Sequence, residues 1–237
     1  MDSMDYEKFD QALIHAAMAR AEAVGWSRVT VVEAAREAGL PLDEARERFP
    51  MRTTVLMRLG MLADRSALVD DGSTGTVRER LFDLMMRRID VLQQYREGVR
   101  SVLRSLPFDP LLALLMTAAT GDSMAWIAEA AGVDTTGAAG RLRVQGVIAL
   151  WLQTVRAWDK DDSPDLSGTM AALDKALDRA EWLGRMLSRP LFGQGGSGEP
   201  VLIDDTLSTD ELPNAGVAAP SVPGSGPLDP GVVDPLT

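Results

Sequence analysis

Few side chains in this sequence combine the type and spacing that catalysis needs. The single histidine, His15, sits among Leu13, Ile14, Ala16 and Ala17, with no serine or aspartate at a spacing that marks a proton relay. It reads as a structural or surface histidine. Asp159, Asp161, Asp162 and Asp165 invite comparison with a calcium loop, because hard cations take carboxylate oxygens from alternating positions. The loop test fails. The sixth position from Asp159 is Pro164, where such a loop turns on glycine, and the twelfth is Met170, where it closes on glutamate. These acids read instead as a helix-to-helix turn that favours the N-terminus following it. With no cysteine in the chain, disulfides, thiolate metal sites and cysteine nucleophiles are excluded, and one histidine cannot build a multi-histidine cage. Glycine-rich phosphate loops, nucleophile elbows and paired-carboxylate motifs do not occur, so neither an enzyme nor a bound cofactor or metal is expected.

The chemistry that remains is cationic. Arg28, Arg36, Arg46, Arg48 and Arg52 cluster in one short stretch and have the reach to contact backbone phosphate. The formal net charge of −11 over 237 residues argues the other way until its distribution is considered. Residues 190–237 hold seven acids and no base, together with eight of the 13 prolines and eight of the 21 glycines. That composition buries too little apolar surface to offset its ordering entropy, and it predicts a disordered acidic arm. Residues 1–189 are close to balanced, with 28 acids against 24 bases. The acidic start, MDSMDYEKFD, lacks the basic and apolar stretches of a signal peptide, and no run of about 18 apolar residues occurs. A soluble cytoplasmic protein is expected.

From residue 6 to 189 the apolar residues recur at intervals of three and four, and Ala, Leu, Met, Arg and Glu dominate, which predicts an all-α chain. A first helix runs from Tyr6 to Val24 and stops at Gly25. Short helices follow from Thr30, a capping residue, to Gly39, and from Leu42 to Phe49 before Pro50, and a longer one spans Thr54 to Leu68. The polar stretch Asp70–Gly75 ends this unit. Thr76 and Glu79 then form the T-x-x-E box that opens a helix carrying Val77, Leu81, Leu84, Met85, Ile89 and Leu92. Another covers Tyr95 to Leu106. Asp109-Pro110 starts a helix apolar on nearly every side, which predicts a central position. A long helix from Thr136 to Trp158 leads to the acidic turn, and Ser163-Pro164 is expected to start the last helix. There Leu166, Met170, Leu173, Leu177, Ala180, Gly184 and Leu187 make a seam at alternating spacings that wants a partner helix.

The pair of short helices joined at Gly39 is a helix-turn-helix. The stretch Ala12–Leu68 resembles the N-terminal domain of TetR-family regulators: Gly25-Trp26, Thr30, Ala34-Ala35-Arg36-Glu37-Ala38-Gly39, then a recognition helix ending at Phe49-Pro50. Residues 76–189 are similar in helix count, and in the turn before the last helix, to the ligand-binding half of that family. The resemblance implies three segments: a helix-turn-helix domain at 1–69, a ligand-binding and dimerisation bundle at 76–189, and the tail at 190–237. By motif position it places DNA contacts at Thr30, Arg36, Leu42, Asp43, Glu44, Arg46 and Arg48. The recognition helix departs from the family pattern. Its Asp43, Glu44 and Glu47 would face phosphates, and a carboxylate there is unfavourable unless it accepts from a cytosine amine.

The implied function is a one-component regulator, a repressor by expectation, that binds operator DNA as a homodimer and responds to a small apolar ligand. Phe82, Met85, Met116, Met124, Trp126 and Trp151 are the expected ligand lining, since methionine and aromatic side chains make an adaptable apolar wall. The dimer contact is expected along Leu166, Met170, Leu173, Leu177, Ala180 and Gly184. A second resemblance comes from Gly25-Trp26-Ser27, Ala45-Arg46 before Phe49-Pro50, and Tyr95-Arg96-Glu97-Gly98-Val99-Arg100. These are similar to the ubiquinone-biosynthesis accessory proteins of the same fold, and that likeness implies isoprenoid or acyl lipid binding without DNA binding.

Overall fold

Three helix starts among the described residues carry a side-chain cap. The computed structural model describes residues 3–69 and 75–187, with side chains placed from 5 to 69 and from 75 to 182. Within them the order is α1 (Ser3–Val24), a 3₁₀ turn (Trp26–Arg28), α2 (Val31–Glu37), α3 (Leu42–Arg48), α4 (Arg52–Leu68), α5 (Val77–Gln93), α6 (Arg96–Ser105), a 3₁₀ turn (Leu106–Phe108), α7 (Pro110–Ala130), α8 (Gly137–Lys160) and α9 (Ser167–Leu187). The all-α expectation holds: no strand occurs among the described residues. Thr30 accepts from the Glu33 amide and caps α2. Thr76 and Glu79 form both hydrogen bonds of the capping box at α5. Asp109 accepts from the Leu112 amide ahead of Pro110. The acidic tail, the stretch 70–74 and the Gly184 and Leu187 side chains lie outside what is described.

The last helix starts later than the sequence reading has it, while α1, at Ser3, and α4, at Arg52, start earlier. Ser163-Pro164 does not begin the last helix: the chain turns through Leu166, whose φ of 55° is left-handed, and α9 starts at Ser167. Asp161 organises this turn. Its carboxylate accepts from the Ser163 amide (3.1 Å) and hydroxyl, and from the Thr169 amide (2.6 Å) and hydroxyl (2.7 Å). The Ser163 hydroxyl, and after it the Thr169 donors, hold the carboxyl far below the ordinary carboxylate range against the opposing effect of burial. A depressed folded pKa contributes stability in full above the ordinary value near 4, and the contribution is lost as pH falls toward the folded value. Asp161→Ala is therefore expected to destabilise the protein by about 1–2 kcal/mol at pH 7. Urea denaturation should show the gap between variant and parent shrinking below pH 4; a constant gap would refute this role.

The core is continuous from the first helix to the last. Phe9, Leu13, Ala17 and Ala21 of α1 are buried with Trp26, Phe49, Val55 and Leu59, while Met85, Ile89, Met124, Ile127, Trp158 and Leu173 fill the bundle of α5 to α9. Residues from the first helix to the start of the tail belong to one compact unit. α1 lies along α6, α4 along α5 and α7, and α8 between α7 and α9. At the α1–α6 crossing Gly98 is essential, because a Cβ there would stand 2.6 Å from the Met18 carbonyl oxygen.

α7 is not central. One face, carrying Leu112, Met124, Ile127 and Ala128, is buried, but Leu111 and Leu114 are each 65% exposed. Its length of 21 residues and mean hydropathy of 1.4 are enough, by length and composition, for a membrane span, although Asp122 and Glu129 interrupt it. An apolar sequence on every side of a helix shows what could be buried, and here only one side finds neighbours.

Candidate functional site

The helix-turn-helix is held by its inner face. Ala34, Ala35 and Ala45 are buried between α2, α3 and α1, their small side chains permitting a close approach. Gly39 makes the turn with φ of +66°, a conformation that favours glycine. Arg20 of α1 pairs with Glu33 (3.0 Å) in the first turn of α2 and with Glu37 at its last residue, tying both ends of that helix to α1. The outer face is left to solvent.

On that face Thr30, Arg36, Leu42, Asp43 and Arg46 are exposed, together with Arg28 and Glu47. Arg28 and Arg36 make no ion pair with a described residue. Arg46 donates to the Pro50 carbonyl oxygen at 2.6 Å, so one end of its guanidinium is committed to closing α3. Glu44 is half-buried. Arg48 departs from its motif role: it donates from Nε and Nη2 to the two carboxylate oxygens of Asp10 at 2.7 and 2.8 Å, and its guanidinium lies 4.6 Å from the Tyr6 ring centre. That bidentate pair raises its pKa and anchors α3 to α1. Arg52 is likewise committed, donating to the Ser27 carbonyl (2.9 Å) and to Asp109 (3.1 Å). Of the five clustered arginines, two are wholly free, one is partly free and two brace the domain.

A cleft of about 550 Å³ lies where α1, α4, α6 and the turn before α7 meet, lined among others by Trp26, Arg52, Ser101, Arg104 and Phe108. Trp26 is held there by its amide, which donates to Ser101 Oγ at 3.0 Å.

The bundle contains a feature the sequence reading missed. Arg88 of α5 is only 5% exposed, and its guanidinium lies 4.6 Å from the centre of the Trp151 ring of α8. It pairs with Asp64 of α4 and donates to Ser123 Oγ of α7 at 2.6 Å; that hydroxyl donates in turn to Asp64 at 2.6 Å. Burial lowers the Arg88 pKa to about 10, which leaves it charged at neutral pH. A signal was present. Position 88 continues the inward spacing of Leu81, Met85 and Leu92, so a charge interrupts an apolar stripe.

The residues expected to line a ligand fall in different environments. Met85 and Met124 are fully buried, Trp151 nearly so, and Phe82 and Met116 half-buried. Trp126 is 63% exposed and lines nothing internal. Two residues past Met124, it points to the opposite side of α7. The expected dimer seam needs a similar correction. Leu166, Leu173 and Leu177 are buried in this chain's own core, Met170 is half-buried, and Ala180 alone of the described members is exposed. Their spacing served the packing of α9 on α8 and α5. Among the described residues, Leu142 and Leu152 of α8 and Trp182 of α9 are large apolar side chains left exposed on those helices. His15 is exposed and meets the Tyr95 ring edge-on at 6.2 Å. No group of three acids and histidines able to hold a metal occurs among the described residues.

No family model and no curated protein sequence matches this chain. Solved structures do. A TetR transcriptional regulator from Nitrosomonas europaea ATCC 19718 superposes with a TM-score of 0.62 at 21% identity, over 73% of this chain and 98% of that one. A tetR-family transcriptional regulator from Streptomyces coelicolor gives a TM-score of 0.51 at 20% identity, over 76% of this chain and 89% of its own. The order of nine helices among the described residues, the helix-turn-helix braced on α1 and these superpositions agree: the chain has the fold of the TetR-family transcriptional regulators.

Proposed function

We propose that this protein is a ligand-responsive, DNA-binding transcriptional regulator of the TetR type, acting in the cytoplasm as a homodimer. The observation that carries this reading is the helix-turn-helix, whose inner face is locked to α1 while Thr30, Arg28, Arg36 and Arg46 stand in solvent. A helix pair kept only as scaffolding gains nothing from an outer face of unpaired arginines. Two such domains in a symmetric dimer would meet half-sites about 34 Å apart. The exposed Leu142, Leu152 and Trp182 supply the apolar contact between protomers in place of the buried seam. A small molecule in the core of α5, α7 and α8, against Phe82, Met85, Met116, Met124 and Trp151, shifts the population between dimer geometries that match or miss the half-sites. Asp43 and Glu47 on the exposed face of α3 make phosphate contacts the main source of affinity.

The test is binding to the DNA upstream of the protein's own coding region over a salt series. Specific binding is expected, with a steep salt dependence. Each of Arg28→Ala, Arg36→Ala and Arg46→Ala is expected to reduce the salt slope by about one and to weaken binding on all sequences alike. The double variant Leu142→Glu/Leu152→Glu is expected to sediment as a monomer and to lose operator binding. A parent protein that binds no DNA at low salt would overturn the reading and turn the search to a co-purified lipid.

A further inference from the structure

We propose that Arg88 anchors the carboxylate of an apolar acid, which takes the place of Asp64 as counter-ion and thereby releases α4. The inference deepens the regulator reading and rests on its ligand core.

A buried guanidinium is tolerated only when paired. Here the counter-charge comes from Asp64, whose Oδ1 pairs with the guanidinium and also accepts from Ser123. Arg88 Nε is buried and has no hydrogen-bond partner. A guanidinium presents Nε–H and a terminal N–H side by side, the edge that a carboxylate bridges with two parallel bonds. Nε on that edge is left without a partner, so an incoming carboxylate that bridges the edge satisfies a donor that is orphaned in its absence. The exchange is inexpensive on the other side. The Asp64 side chain is 24% exposed and lies on the helix surface of α4, where water can take it up again once it is displaced.

The surroundings set the rest of the ligand. Trp151 lies across the guanidinium, Met85 stands one turn before it on α5, and Met124 adjoins Ser123 on α7. An acid with an apolar body satisfies both the charge and the wall; a neutral analogue satisfies only the wall. The consequence reaches the DNA-binding end through one element. α4 begins two residues after Phe49-Pro50, at the end of the recognition helix, and Asp64 provides an ion-pair link from it to α5. Transferring the pair to a ligand removes that link and biases α4, with the helix-turn-helix attached, toward its other positions.

The experiment uses decanoate and its methyl ester on the full-length protein, with isothermal titration, thermal unfolding and operator binding as readouts. Decanoate is expected to bind the parent at least about tenfold more tightly than the ester and to release DNA. Asp64→Asn, whose buried cation lacks its partner, is expected to bind decanoate about tenfold more tightly again and to regain thermal stability from it, with no gain from the ester. Arg88→Met is expected to bind acid and ester alike. Equal binding of acid and ester by the parent and Asp64→Asn would overturn the anchor while leaving an apolar ligand core standing. Binding of neither compound by any of the three proteins would overturn the anchor together with the ligand core it rests on. The acid-against-ester comparison on the parent stands even where a variant does not fold.

Discussion

Gly98→Ala is expected to destabilise the protein by about 2–3 kcal/mol, a fall in Tm of roughly 5–10 °C, although alanine is the better helix former. The added Cβ would stand 2.6 Å from the carbonyl oxygen of Met18, 2.9 Å from its Cβ and 3.0 Å from its carbonyl carbon. Two of those three atoms are backbone, so no side chain can turn aside and α1 and α6 must move apart. The same crossing carries the bond from the Trp26 amide to Ser101, and it attaches the helix-turn-helix to the bundle. If the chain binds an operator as proposed, weakened binding is expected alongside the loss of stability. Gly121→Ala on α7 is the control: its Cβ meets nothing within 4 Å, and a gain of about 0.5–1 kcal/mol is expected from helix propensity alone. Thermal unfolding followed by circular dichroism checks both. Equal behaviour of the two variants would show that the α1–α6 contact yields freely.

That contact was invisible in the sequence, where Gly98 stands in a helical stretch like any tolerated glycine, and the reason is general. Local rules concern atoms within a few residues of one another. Thr30, the Thr76–Glu79 box and Asp109 were legible because each caps amides three residues away. The helix-turn-helix was legible for the same reason, its glycine and alanines lying in one short stretch. What failed depended on partners far along the chain. Arg48 has the reach to meet a phosphate or a carboxylate, and Asp10, which it meets, lies 38 residues away. The leucines of α9 showed that a face must be buried without showing whether α8 or a second protomer would bury it. α7 carried too much apolar sequence for its period to identify the buried side. Residue 161 looked like one acid in an acidic turn, and only the fold brings Thr169 back to it.

The ion pair of Arg88 with Asp64 makes the sharpest energetic prediction. Asp64→Ala is expected to cost about 3 kcal/mol, the lower end for breaking a buried ion pair because Asp64 keeps some contact with water. The loss comes less from the missing attraction than from the guanidinium left without a counter-charge against Trp151. Removing the charge as well should restore most of it: Arg88→Met fills a similar volume with apolar atoms, and Asp64→Ala/Arg88→Met is expected within about 1 kcal/mol of the parent. Urea denaturation of the four proteins gives the coupling directly, expected at about 2 kcal/mol or more. Additive losses would mean that each residue stabilises the fold by itself and that the pair is ordinary packing. Strong coupling would mean that an apolar core serves stability nearly as well as the ion pair does. A charge kept where hydrophobic side chains would hold the fold equally well needs another reason for its presence, and the exchange of counter-ion proposed for Arg88 supplies one.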